Sequence, residues 1–346
     1  MLSRLITTFL CAVAIGSVSG AFLAFDPDPI SFEDIEAPNS FSVQLKSKPT
    51  EEVIVYFEHP FLPISDCVIV FDSNNWNAPR PMTIIPAPLF VGPSNPPRQL
   101  KSLSELLAKS VTVGSLSAEL SFVDTFKVIQ RNIGASLCSI KNQKVETFDE
   151  IPFSFNKPGW YQLLSTRDIG VQVFVGECTA GLPCIKKVLA RYGSSVMSLD
   201  VSGPVKNISE YSVTKVTQND NGLRYTPVAK AGGHKIDFPY GSELYLKVLN
   251  NDGIVSLDVD LIIVAGYPSS GGLCNRPRYP SRNNRLVGPD GKLYSDEKKD
   301  EVAAFAKSWG VKDEDVLTNP RARTLIPPTQ QLGTICKLPK NHRQNL

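Results

Sequence analysis

The chain has 346 residues, enough for two domains of ordinary size. Its formal net charge is +2, which removes any bulk electrostatic drive toward nucleic acid or acidic membranes. Hydrophobic residues make up 42% and charged residues 20%, and the 27 prolines and 23 glycines favour many short strands and turns over long helices.

The first element, residues 1–20, reads as a signal peptide. Arg4 supplies the positive end, Leu5 to Ile15 an apolar core too short to span a bilayer, and Val18-Ser19-Gly20 a small-residue cleavage site before Ala21. No later stretch reads as a transmembrane segment, and the polar C-terminus KNHRQNL does not resemble a lipid-anchor tail. The expectation is a secreted, soluble protein, extracellular or associated with a cell surface, whose cysteines oxidise. Cys11 leaves with the signal peptide, and Cys67, Cys138, Cys178, Cys184, Cys274 and Cys336 remain. Spacing alone does not choose among their pairings. Asn207-Ile208-Ser209 is an N-glycosylation sequon, with Asn207 as acceptor.

Residues 21–97 alternate with period two. Phe41, Val43 and Leu45 form one apolar face, Val53, Val55 and Phe57 a second, and Cys67, Ile69 and Phe71 a third. Turn residues separate these runs, which predicts an antiparallel β-sandwich of immunoglobulin-like kind. Asp26-Pro27 and Asp28-Pro29 read as an extended N-terminal linker, and Trp76 as a core residue in a sandwich turn. The strand order and the turn Asn75-Trp76-Asn77-Ala78-Pro79 resemble the calcium-exchanger-β-like repeat of surface sandwiches.

Residues 98–130 read as a connector after a proline-rich run. Leu100, Leu103, Leu106 and Leu107 predict a short helix over 100–109, and 111–129 returns to strand-like sequence. Further on, 171–175, 195–201, 211–217 and 243–249 alternate as strands, 254–267 reads as a hairpin or bent pair, and only 301–309 looks helical.

Residues 131–312 carry a second resemblance. Cys138 is followed by Thr147-Phe148-Asp149, by Phe153-Ser154-Phe155 and by Gly159-Trp160-Tyr161-Gln162-Leu163. Cys178 and Cys184 come next with Lys186 and Lys187 behind them. Gly272-Leu273-Cys274-Asn275, the Asn283-Asn284 loop, Gly288-Pro289-Asp290-Gly291 and Phe305-Ala306-Lys307-Ser308-Trp309 close the series. In content and order this resembles a von Willebrand factor type D domain, a secreted, disulfide-stapled β module. The resemblance implies the bridges Cys138–Cys274 and Cys178–Cys184. A further family bridge lacks both partners here, near Trp160 and Gly271. Cys67 and Cys336 are then left as a candidate pair, tying the tail of 313–346 to the first sandwich.

The resemblance also implies a calcium site, with Asp149, Asn275, Asn283 and Asn284 as candidate ligands. Calcium takes six to eight oxygens, several of them carboxylate. Arg276, Arg278, Arg282 and Arg285 stand where further acids would be needed, and four cations oppose a divalent ion. The reading therefore leans to Asp149 as a structural partner of a loop arginine, with Ca2+ as the alternative. The same arginines could contact an anionic partner such as an acidic polysaccharide.

Catalysis is not expected. His59, His234 and His342 sit in no metalloprotease, nucleophile-elbow or Cys-x-x-Cys motif, and Cys178 and Cys184 lack zinc-ligand companions. The expected function is structural or adhesive interaction with an extracellular protein or polysaccharide. The alternatives are a carbohydrate- or lipid-binding carrier and, further off, a divergent extracellular hydrolase.

Overall fold

The computed structural model describes residues 22–324 and 335–338, apart from 33–37, 60–61, 85–89, 92–97, 100–102, 113–122, 131–134, 142, 180–181, 229–231, 240, 265–266, 268–269 and 276–284. The expected signal peptide lies outside the described residues. The chain is predominantly β, and no described helix is long and apolar enough to cross a membrane.

The first half comprises β1 (Leu23–Asp26), β2 (Ile30–Phe32), β3 (Asn39–Leu45), β4 (Val53–Glu58), β5 (Val68–Phe71), β6 (Arg80–Ile84), β7 (Phe90–Val91), β8 (Arg98–Gln99), β9 (Leu103–Thr112) and β10 (Val123–Gln130). Two sheets, ordered β1-β3-β6 and β2-β10-β9-β4-β5, enclose one core. The alternation of the sequence sets its faces: Phe41, Val43 and Leu45 are buried, as are Val53, Val55 and Phe57. Trp76 packs against this core from its turn, where Asp72 accepts the N–H groups of Asn74 and Asn75.

Two expectations for this half do not hold. The Asp-Pro pairs are no free linker: β1 pairs with β3, β2 runs parallel to β10, and the Asp124 carboxylate accepts the N–H groups of Phe22 and Leu23 at 2.9 Å. The helix expected over 100–109 is absent from its described part, because 103–109 belong to β9, held between β10 and β4. Its leucine spacing fits a helix, but Leu106, Ala108 and Ser110 also alternate inward, and two flanking ladders override local propensity. The first sandwich therefore runs through Gln130 and absorbs most of the expected connector. Of the proline-rich run, only β7 and β8 are described, paired with each other.

The second half comprises β11 (Ala135–Lys141), β12 (Lys144–Glu146), β13 (Pro152–Ser154), β14 (Gly159–Ser165), β15 (Ile169–Thr179), β16 (Leu182–Tyr192), β17 (Ser195–Asp200), β18 (Thr214–Lys215), β19 (Arg224–Val228), β20 (Gly233–Asp237), β21 (Glu243–Asn251), β22 (Ile254–Val264), β23 (Arg285–Val287), β24 (Leu293–Ser295), α1 (Lys299–Ser308), β25 (Gly310–Val311) and α2 (Pro320–Thr324). A seven-stranded sheet, β13-β12-β11-β22-β21-β20-β19, faces a six-stranded one, β18-β17-β16-β15-β14-β25. Val171 and Val173 of one and Val259, Leu261 and Ile263 of the other belong to a single buried core.

Three details differ from the sequence reading. Residues 254–264 form one straight strand, β22, because both flanking strands pair along it. Of 211–217 only β18 is strand. The tail is partly structured: Val316 and Leu317 pack with Leu189 and Val196 on the outer face of the six-stranded sheet, and Cys336 joins the first core.

Candidate functional site

The segments expected to belong together do meet. Gly271 to Cys274 lies against β14: Leu273 N–H donates to Gln162 O at 2.9 Å and Cys274 N–H to Leu163 O at 3.1 Å. A shift in register between Gln162 and Leu164 accommodates this approach. Gly272 has φ 143° and sits so close that a Cβ there would overlap the Leu163 carbonyl, so only glycine fits. Cys274 is bonded to Cys138 of β11 with Cα atoms 5.6 Å apart, and its carbonyl accepts the Phe148 N–H. The other bonds are Cys178–Cys184, across the β15–β16 hairpin, and Cys67–Cys336.

Beyond this bond sit the first two candidate calcium ligands. Asn275, at φ 59°, is buried. Its Nδ2 donates to Asp149 Oδ2 at 2.7 Å and to the Arg285 carbonyl at 3.2 Å, while its Oδ1 accepts the Val287 N–H at 3.0 Å. Asp149 Oδ1 accepts the Thr147 hydroxyl at 2.6 Å. These residues do not fit a calcium ion. The one carboxylate has an amide N–H in front of it, and the asparagine oxygen that could ligate is committed to a backbone donor. Asn283, Asn284, Arg276, Arg278 and Arg282 lie outside the described residues. Arg285 is exposed at the start of β23. Among the described residues no three His, Cys, Asp or Glu side chains are grouped to hold a metal.

The histidines do not converge. His59 is fully buried in the first half, where its Nδ1 accepts the Leu62 N–H at 2.9 Å, and burial pulls its pKa from 6.5 to about 4. His234 lies on β20, its Nδ1 3.0 Å from the Tyr225 hydroxyl, and burial lowers its pKa as well. His342 lies outside the described residues. The Asn207 side chain is exposed and donates to Glu210 at 2.9 Å, leaving the sequon on the surface.

One feature escaped the sequence reading. A groove of about 690 Å³ runs along the side of the second sandwich where both sheets end, between β13, β25 and α1. Val302 and Ala306 of α1 and Phe153 and Phe155 line it, with the Phe153 ring edge-on to Phe305 at 5.3 Å. Lys157, Lys299 and Lys307 border it, opposed by Asp296 alone among its acidic residues. The signal was present as the i, i+3, i+4, i+7 spacing of Lys299, Val302, Ala303 and Ala306 on one helix face, but nothing in the sequence placed that face beside a sheet edge. No family model matches the chain, and no curated protein matches it either.

Proposed function

We propose that the chain is a secreted, non-catalytic interaction protein of the extracellular space, with an immunoglobulin-like first sandwich and a second resembling a von Willebrand factor type D domain. The observation that carries this reading is the Cys138–Cys274 bond together with its surroundings. It joins two segments 136 residues apart and seats Gly272, Leu273 and Asn275 against β14 and Asp149. Three disulfides in a chain with an export-type N-terminus favour an oxidising compartment. The separation of His59 from His234 in two different sandwiches favours a binding role over general acid–base chemistry.

The test is expression through a secretory pathway. The expected result is protein in the medium with its six cysteines oxidised and, on immobilised matrix proteins and acidic polysaccharides, saturable binding that disulfide reduction abolishes. Retention inside the cell with free thiols, or turnover of a panel of ester, glycoside and peptide substrates, would reverse the assignment.

A further inference from the structure

We infer that the groove beside α1 binds an extended acidic peptide segment of a partner protein, which adds as a strand to the free edge of β13. This rests on the reading of the chain as an interaction protein and names the chemistry of one partner.

The edge comes first. β13 ends the seven-stranded sheet and, among the described residues, pairs only with β12, in the register Lys144 to Ser154, Val145 to Phe153 and Glu146 to Pro152. The Thr147 N–H donates to Ile151 O, and the Phe155 N–H to Gln143 O. These bonds assign the odd-numbered residues of 151–155 to the ladder with β12. Antiparallel geometry then turns the N–H and C=O of Ser154 to the opposite side. Ser154 lines the groove, so its wall presents that N–H and C=O in strand geometry, while Pro152, the other outward residue of β13, has a carbonyl but no N–H.

The facing wall makes room for a backbone. Ala303 and Ala306 project no more than a methyl group from α1, and Gly310 begins the edge strand β25 of the other sheet. Apolar area from Phe155 and Val302 lies between the two walls, suited to alternate side chains of an incoming strand.

Charge selects the occupant. Lys157, Lys299 and Lys307 are all exposed, and none is in an ion pair with another described residue. They stand at both walls of the groove, so carboxylates on an extended peptide could reach them while its backbone pairs with Ser154. An acidic oligosaccharide would satisfy the lysines but has no backbone ladder to offer the β13 edge.

Fluorescence anisotropy with a labelled octapeptide of alternating glutamate and valine tests this on the full secreted chain. A weak interface of this size should saturate with a dissociation constant on the order of 100 μM. Lys157→Glu and Lys307→Glu should each weaken binding at least about fivefold, and 0.5 M NaCl should weaken it by roughly tenfold. Both lysines are exposed, so unchanged thermal melts will show that these variants fold. N-methylation of alternate peptide nitrogens in the pairing frame should abolish binding, whereas methylation of the other set should not. The inference is overturned by equal binding of both methylated peptides, by indifference to the lysine variants, or by no saturation up to about 1 mM. Binding of a uronate octasaccharide with no binding of the peptide would also overturn it, while leaving the secreted interaction role standing.

Discussion

Asn275 closes the second sandwich with a side chain that has no spare capacity. Its amide donates to Asp149 and to Arg285 O, and its oxygen accepts from Val287, so each polar atom is spoken for. Asn275→Asp keeps the shape but replaces the donor by a carboxylate facing another carboxylate. Two acids in a half-buried contact raise each other's proton affinity, so the variant should lose about 3 kcal/mol at neutral pH and recover part of it in acid. Urea denaturation at pH 7 and pH 5 measures both effects. The same variant, beside the natural chain, addresses calcium. Millimolar Ca2+ should leave the melting temperature of the natural chain unchanged and raise that of Asn275→Asp, which gains a second anionic ligand. A calcium-dependent rise in the natural chain would falsify the amide-closed site. His59 gives a separate acid response. Unfolded, it titrates near 6.5, and folded near 4, so between these values the unfolded chain binds more protons and stability falls as pH falls. The full loss is about 3 kcal/mol from this group and is complete below pH 4. His59→Asn, which retains an acceptor where Nδ1 stands, should flatten that slope while lowering stability at pH 7 by about 1–2 kcal/mol through lost volume. A slope that survives the substitution would assign the acid sensitivity to other groups.

Elements succeed or fail in this chain according to what lies on their second face. β16 buries Val188 and Ala190 in the inner core, and its outer residue Leu189 is covered by Val316 and Leu317 of the C-terminal segment. Gln172 of β15 fastens that cover. Its Nε2 donates to Asp315 O at 3.1 Å in a part-buried bond, and its Oε1 accepts the Leu317 N–H at 2.9 Å in a buried one. Gln172→Leu removes both bonds and the one to Gln162 Oε1, and leaves the buried Leu317 N–H unpaired, which costs about 1–3 kcal/mol in local stability. Hydrogen exchange should accelerate over 313–324 with little change in β11 or β22. Uniform acceleration through the whole second core would mean that the segment is integral to the fold and not a docked cover. The same logic explains what the residues disclosed in advance. Strands with one polar face, such as β3, β4 and β21, are legible because alternation fixes both identity and orientation. β9 was misread because its leucines satisfy two periods, and the choice between them was made by β4 and β10, far away in sequence. The meeting of Cys138 with Cys274 was expected only through the resemblance of Gly-Leu-Cys-Asn and Thr-Phe-Asp to a family pattern, since spacing alone leaves the pairings open. The amide donated to Asp149 was not, because residue type leaves an asparagine's orientation open. The groove was not legible either, since a sheet edge is a property of strand order, and no stretch of chain encodes it locally.

Over the whole molecule, the last described residues return to the first sandwich. The two sandwiches have separate cores that share no residue, yet Cys336 is buried in the first of them, bonded to Cys67, after the chain has traversed the second. Leu338 N–H donates to Glu58 at 2.8 Å beside that bond. The bond spans 269 residues, and in the chain-entropy model a loop of that size contributes about 5.6 kcal/mol. Where that contribution falls depends on the unfolding order. While the second sandwich stays folded, it occupies most of the loop, and the effective loop in a state with only the first sandwich unfolded is shorter and stiffer. Loss of the bond should therefore weaken the first core chiefly through the Cys336 side chain and the Leu338 contact, and only modestly through entropy. The double variant Cys67→Ser with Cys336→Ser should show two calorimetric transitions. The lower one, assigned to the first sandwich, should fall by several degrees, and the upper one should stay within about 2 °C of the natural chain. A common downward shift of a single transition would instead mean that the two cores unfold together, with the terminal bond acting on both.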